Sequence, residues 1–205
     1  MTANLTTITT WHLAQTSAAA LPPEPVPAPE GLDLSVVRAE AIGPEFARFL
    51  YTAVGGVWNW RDRLAWSYEQ WAKWLAVEGT ETWVAWVSGT PAGYVQLEPR
   101  RAEEVSEGEV EVIYFGLLPA FIGRGLGSHL LDLGLRRAWD LATRHPSLPS
   151  TRLVTVHTCS QDGPAALRTY KSSGFELVRA ETAEQPVGEA PGPWPGSGFA
   201  APGVS

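Results

Sequence analysis

Three glycines in five residues, Gly123-Arg124-Gly125-Leu126-Gly127, stand directly before an amphipathic run and shortly after an apolar, β-rich one. Glycine lets a backbone approach a ligand closely. The free N–H groups and the dipole of a helix's first turn favour phosphate or pyrophosphate. The segment Tyr114–Leu135 therefore predicts a site for a phosphorylated cofactor. A P-loop needs a lysine with Ser or Thr closing its second glycine, and that pair is missing. A dinucleotide fingerprint runs G-x-G-x-x-G, one residue longer than this loop. Other side chains able to do chemistry are Glu109 and Glu111 before the loop, and His157, Cys159 and Tyr170 after it. Nothing in the sequence supplies Cys159 with a positioned His–Asp pair, which sets it aside as a nucleophile. His129 reads as a solvated helix residue near the cofactor phosphates.

The elements that must hold these residues are legible from periodicity. Val110–Leu118 reads as a central strand that Pro119 terminates. The helix after the loop carries a stripe of Leu130, Leu131, Gly134, Leu135, Ala138, Leu141 and Ala142. Its other face carries Ser128, His129, Asp132, Arg136 and Asp140, predicted to meet solvent. Leu34–Ala39 reads as a first strand, and Pro44 opens a helix. Ser67 caps a helix to about Ala76, and Glu81–Val87 with Ala92–Glu98 reads as a hairpin around Ser88–Pro91. Arg152–His157 alternates as a strand, Pro164 starts a helix that Gly174 ends, and Phe175–Ala180 is a last strand. Strands, helix, strand, helix and strand in this order make an α/β (α+β) sandwich with a mixed sheet.

Seven of the ten tryptophans lie between Trp58 and Trp86. Core packing accounts for most of them. Trp58 and Trp60 differ, because they sit in a Gly-Gly-flanked loop with Arg61, Asp62 and Arg63, and loops carry specificity. Both are candidates for an acceptor-pocket wall, where aromatics clasp apolar or cationic groups.

At 205 residues and 44% hydrophobic content, the chain supports one core. Residues 1–33, rich in Thr, Ala and then Pro, read as a flexible tail; 34–184 form the domain, and 185–205 a Pro/Gly-rich tail. A net charge of −7 argues against a nucleic-acid partner and suits a cationic amine. The single Cys159 excludes an internal disulfide framework. With no apolar run of spanning length and no basic stretch ahead of one at the N-terminus, the reading is cytoplasmic, with no membrane partner.

The segment YFGLLPAFIGRGLG resembles the pyrophosphate loop of the GNAT superfamily of acyl-CoA N-acyltransferases, Arg/Gln-x-x-Gly-x-Gly/Ala. Gly125 and Gly127 match, and Ile122 stands where Arg or Gln is usual. Ala166, Tyr170 and Gly174-Phe175 fit the family's Asn-x-x-Ala-x-x-Leu-Tyr and Gly-Phe pattern, while Gly163 and Thr169 replace its Asn and Leu. The likeness covers roughly residues 34–181 and includes a bacterial, uncharacterised subgroup.

What the resemblance implies is acetyl transfer from acetyl-CoA to an amine by direct attack in a ternary complex, with a homodimer as a frequent assembly. It implies the family's fold, a central mixed, mostly antiparallel sheet flanked by helices. Cofactor contacts fall on Phe115, Gly116, Leu117 and Leu118 of the central strand, then on Ile122, Gly123, Arg124, Gly125, Leu126, Gly127 and Ser128. Leu117 N–H becomes the oxyanion donor, and Tyr170 the acid for the departing thiolate. Glu111, eleven residues before Ile122, becomes the base, and alternation would put it on one face with Ile113 and Phe115, where burial raises its pKa. Glu111 and His157 then join Trp58 and Trp60 around the acceptor, with His157 the alternative base. The departures at Ile122 and Gly163 keep a non-catalytic acyl-CoA sensor open, and a nucleotide-binding protein is the further alternative.

Overall fold

The apolar, β-rich runs pair into a single sheet. The computed structural model describes residues 5–100 and 108–186. Its strands are β1 (Leu5–Gln15), β2 (Leu34–Arg38), β3 (Glu81–Val87), β4 (Thr90–Pro99), β5 (Glu109–Leu117), β6 (Leu153–Cys159) and β7 (Glu176–Pro186). The helices are α1 (Pro44–Gly55), α2 (Tyr68–Leu75), α3 (Leu126–Trp139), α4 (Leu141–Arg144) and α5 (Ala166–Ser172). In space the strands run β2-β3-β4-β5-β6-β1-β7. Only β5 and β6 are parallel; the other neighbours are antiparallel. This is the mixed, mostly antiparallel sheet expected.

Each face of the sheet buries a separate core. Leu126, Leu130, Leu131 and Leu135 of α3, all fully buried, pack with Val95, Val110, Val112 and Val154 on one face. On the other, Leu50, Tyr51 and Val54 of α1 and Trp71 and Trp74 of α2 cover Val84, Tyr94 and Tyr114. Pro44 sits in the first turn of α1, and Ser67 with Gln70 closes a capping box on α2. Most of the tryptophans are therefore core, as the composition suggested.

The tail expected over 1–33 contains a strand instead. β1 fits between β6 and β7, pairing with both, and buries Ile8, Leu13 and Ala14. Its Thr, Ile and Trp content suits a pleated surface with neighbours on both sides. The proline-rich stretch that follows lies across α3. Val26 N–H donates to Asp132 at 3.1 Å, Arg136 donates to Pro22 O at 2.7 Å, and Val26 O lies 2.8 Å from His129 Nδ1. Asp132, expected on a solvated face, is consequently buried. The end of the 185–205 tail lies outside the described residues beyond Pro186.

One irregularity decides which way the site faces. Gln96 of β4 pairs with Tyr114, but the next residue, Leu97, pairs with Val112, so Ile113 is an extra residue in β5. Side chains change face there. Val110 and Val112 pack under α3, Tyr114 points to the α1–α2 side, and Phe115 and Leu117 return to the α3 side. Glu111 thus shares a face with Ile113 and Tyr114, and the expected alignment with Phe115 is corrected.

Candidate active site

The last β5–β6 pair is Glu111 with Thr155, and beyond it the two parallel strands part. A cavity of about 750 Å³ opens at that point. Its walls include Gly116 and Leu117 from β5, Tyr170 from α5, Trp58 and Trp60 from the α1–α2 loop, and His157 from β6. Leu118 N–H donates to Ala92 O of β4 at 2.9 Å. Strand alternation then turns the preceding amide, Leu117 N–H, the other way, toward the gap left by β6.

The glycine loop forms one end of the cavity. Gly123 and Gly125 hold φ of +82° and +78°, the left-handed region that side chains disfavour. Gly125 is the N-cap of α3, so the first-turn amides of Leu126, Gly127 and Ser128 have no intrahelical acceptor. A Cβ at Gly123 would meet nothing within 4 Å, which leaves an open cradle for a phosphate. Ile122, Gly123, Gly125, Gly127 and Ser128 line the cavity, as does Phe115. Three expected cofactor residues contribute differently. The Leu126 side chain is fully buried in the core, the Arg124 guanidinium lies 5.7 Å from the centre of the Phe121 ring, and Leu118 packs with the α1–α2 core.

His157 lines the cavity and Glu111 does not. His157 Nδ1 lies 2.8 Å from Glu111 Oε1, so the proton belongs on Nδ1 and the Nε2 lone pair is free to act. Glu111 also pairs with Arg100 at 3.3 Å. Although burial works the other way, His157, Arg100 and His12 together hold the Glu111 carboxyl below its ordinary range. This corrects the raised pKa expected of Glu111. The hydrogen bond that His157 donates to Glu111, opposed by burial, raises the His157 pKa. Glu109 is occupied elsewhere, accepting from the Thr155 hydroxyl at 2.9 Å.

Tyr170 is buried against Phe115 and Phe175, and burial, with the nearby Asp162 charge, pushes its phenol pKa up. It therefore stays protonated. Cys159 also lines the cavity, but burial raises its thiol pKa, and Asp162 is taken up by the Thr158 hydroxyl and the Cys159 N–H. The Gly163 departure has a local reason. A Cβ there would come within 3.3 Å of the Trp58 ring, so the indole occupies space that a side chain at this position would need.

Sequence reasoning missed part of the wall. Ile8 and Thr10 of β1 line the cavity, and the His12 ring lies 6.1 Å from that of His157, tilted by 34°. The unbroken run of β-branched residues from Thr6 to Thr10 was the available signal. Asp62 and Tyr114 also line the cavity, and the Tyr114 hydroxyl donates to Asp62 at 2.5 Å. Among the described residues, no group of three or more His, Cys, Asp or Glu is placed to hold a metal ion, and no helix is long and apolar enough to cross a membrane.

Comparison with known proteins is consistent with this arrangement. The family model described as Acetyltransferase (GNAT) family matches residues 44–175. The chain is 32% identical over 174 residues to a mycothiol acetyltransferase of Mycobacterium marinum, covering 78% of this chain and 52% of that protein. It thus spans about half the length of the curated relatives it matches. A GCN5-related N-acetyltransferase from Sphaerobacter thermophilus superposes with a TM-score of 0.56 at 16% identity, over 86% of this chain and 50% of that one. An aminoglycoside acetyltransferase from an uncultured soil metagenomic sample, in complex with sisomicin, gives 0.52 at 14% identity, over 68% and 86%. These two likenesses show the fold.

Proposed function

The chain belongs to the GNAT acetyltransferase family, and from that premise we propose that it transfers an acetyl group from acetyl-CoA to an amine within a ternary complex. The observation that carries the reading is a cavity at the β5–β6 parting with a Glu111-backed imidazole and a protonated, buried tyrosine on its walls. It has a base, an acid and an oxyanion donor.

Acetyl-CoA supplies an activated acyl group on a good leaving group. The first-turn amides of α3 and the open Gly123–Gly125 backbone hold its pyrophosphate. The outward edge of β5 from Phe115 to Leu117 offers backbone groups to the pantetheine amides, and Leu117 N–H is placed to stabilise negative charge on the thioester oxygen.

A lysine-like ammonium, with a pKa near ~10.4, must lose a proton before it attacks. His157 Nε2 takes that proton, and its raised pKa, due first to the Glu111 hydrogen bond, improves the match to the amine. Glu111 acts through His157: it fixes the tautomer and stabilises the imidazolium. The base role passes to His157, the alternative base of the sequence reading, because His157 lines the cavity and Glu111 does not. Tyr170, kept protonated by burial, gives its proton to the departing sulfur.

Free-thiol release from acetyl-CoA in the presence of a panel of amines, with the acetylated product detected by mass spectrometry, tests the proposal. Amine-dependent thiol release that vanishes in His157→Ala while acetyl-CoA affinity persists is the expected result. Failure of the folded protein to bind acetyl-CoA in calorimetry would overturn it.

A further inference from the structure

The loop between α1 and α2 presents a carboxylate that acetyl transfer leaves unused. Asp62 lines the cavity with its side chain 62% exposed. Two phenols hold it from behind: Tyr51 donates to Oδ1 at 2.5 Å and Tyr114 to Oδ2 at 2.5 Å. The phenols are themselves fixed. Arg63 N–H donates to the Tyr51 oxygen at 3.3 Å and Arg63 Nε to that of Tyr114 at 2.7 Å. With one phenol donor fixed on each oxygen, each oxygen keeps a lone pair for a further donor.

Among the described residues, the cation paired with this carboxylate is Arg63, at 3.8 Å. The Arg63 guanidinium is packed over the Trp66 and Trp74 rings at 4.0 and 3.9 Å, is 10% exposed, and pairs with Glu98 at 3.7 Å as well as lying 3.8 Å from Asp62. Arg63 is shared between Asp62 and Glu98, and Glu98 also pairs with Arg100 at 4.0 Å, so one buried guanidinium serves two carboxylates and only part of the Asp62 charge is met. Arg61 turns its Nε onto Asn59 at 2.5 Å. Trp58 and Trp60 line the same cavity and add aromatic surface of the kind that attracts cations.

We propose that Asp62 docks a positively charged group of the acceptor that is separate from the amine to be acetylated, so that the substrate class is a diamine or a guanidino-amine. The inference rests on the acetyl-transfer reading for the identity of the reacting amine. An ammonium held against a carboxylate is stabilised in its charged, non-nucleophilic form. The attacking nitrogen therefore belongs at His157, and a permanent charge belongs at Asp62.

Choline and its uncharged isostere 3,3-dimethylbutan-1-ol distinguish the site without any transfer step. Calorimetry on the CoA-saturated protein is expected to show choline binding roughly tenfold tighter than the alcohol, a difference of the order a cation gains from an aromatic-walled site. Asp62→Asn should cut the preference severalfold, leaving only the part that the Trp58 and Trp60 rings supply. Equal affinity of the two probes for the unsubstituted protein, or a preference that Asp62→Asn leaves undiminished, overturns the inference. Should the variant melt early, the comparison on the unsubstituted protein decides alone. In turnover, 1,5-diaminopentane should exceed pentylamine roughly tenfold in kcat/KM, by the same reasoning. If no amine is acetylated while the choline preference stands, the acetyl-transfer reading fails and the cation site remains.

Discussion

Replacing Glu111 with Gln probes the central claim, that the carboxylate works through His157. The substitution keeps the shape of the side chain and removes its charge from a hydrogen bond of 2.8 Å to Nδ1. A hydrogen bond to a charged group contributes about 1.5–3 kcal/mol, and each 1.4 kcal/mol is roughly a tenfold change. The imidazole side chain is 46% exposed, so solvent screening places the effect toward the low end, near a tenfold loss of kcat/KM. The pH profile carries the sharper signature. The base must be unprotonated, so activity rises with pH through the His157 pKa, which the Glu111 hydrogen bond raises. Glu111→Gln should move that rising limb to lower pH and lower the plateau. Steady-state thiol release across pH, on Glu111→Gln, His157→Ala and the double variant, measures both. Once His157 is gone, losing Glu111 should cost little more, because the two act as one unit. Additive losses, or a limb that stays in place, would refute the reasoning. So would a Glu111→Gln variant that is dead while His157→Ala still turns over, since Glu111 would then be the base itself.

Tyr170→Phe retains the packing against Phe115 and Phe175, so acetyl-CoA affinity should hold while kcat falls by about a hundredfold, the scale of a lost general acid. Gly125→Val places a β-branched side chain at φ +78°, a folded-state cost of roughly 1–2 kcal/mol that should lower the melting temperature by several degrees, and relaxation of the cradle away from that φ should show in calorimetry as about a tenfold loss of acetyl-CoA affinity. Glu81 lies far from the cavity and is a purely structural test. Its buried carboxylate pairs with Arg38 at 3.2 Å, Arg144 at 2.8 Å and His145 at 3.0 Å, and Glu81→Gln should cost about 3 kcal/mol in denaturant unfolding, because it leaves guanidinium groups uncompensated. Hydrogen bonds from Arg144, Trp83 and His145 hold the Glu81 carboxyl below its ordinary range despite its burial. A lowered folded-state pKa contributes stability above the unfolded carboxylate's value, and that contribution disappears as pH falls through the folded one. Acid unfolding of the Glu81→Gln variant should therefore be less steep in that window.

Much of the site is carried by local chemistry that a linear chain reveals. The three glycines around Arg124 announce a phosphate cradle because only glycine adopts positive φ freely, and Gly123 and Gly125 do so. Tyr170 sits in the last turn of α5, four residues before the Gly174 that follows its C-cap, a spacing set by local helix-end chemistry. The strand–loop–helix order around Tyr114–Leu135, the Ser67 cap and the two-sided sheet are all consequences of period and turn chemistry within short windows.

The rest depends on contacts between distant positions. Glu111 and His157 are 46 residues apart, and only the β5–β6 register brings them to 2.8 Å. The extra residue at Ile113 reverses the facing of everything after it, and alternation counted along the chain has no access to that bulge. Residues 5–15 look like a Thr/Ala-rich tail in isolation because their hydrogen-bond partners, β6 and β7, lie at the other end of the chain. Asp62 gains its meaning from Tyr51 and Tyr114, one in a helix and one in a strand. Local sequence thus determines which elements form and where a phosphate can rest. Tertiary structure decides which charges meet, because electrostatic coupling depends on through-space distance and burial, and neither is a property of neighbouring residues.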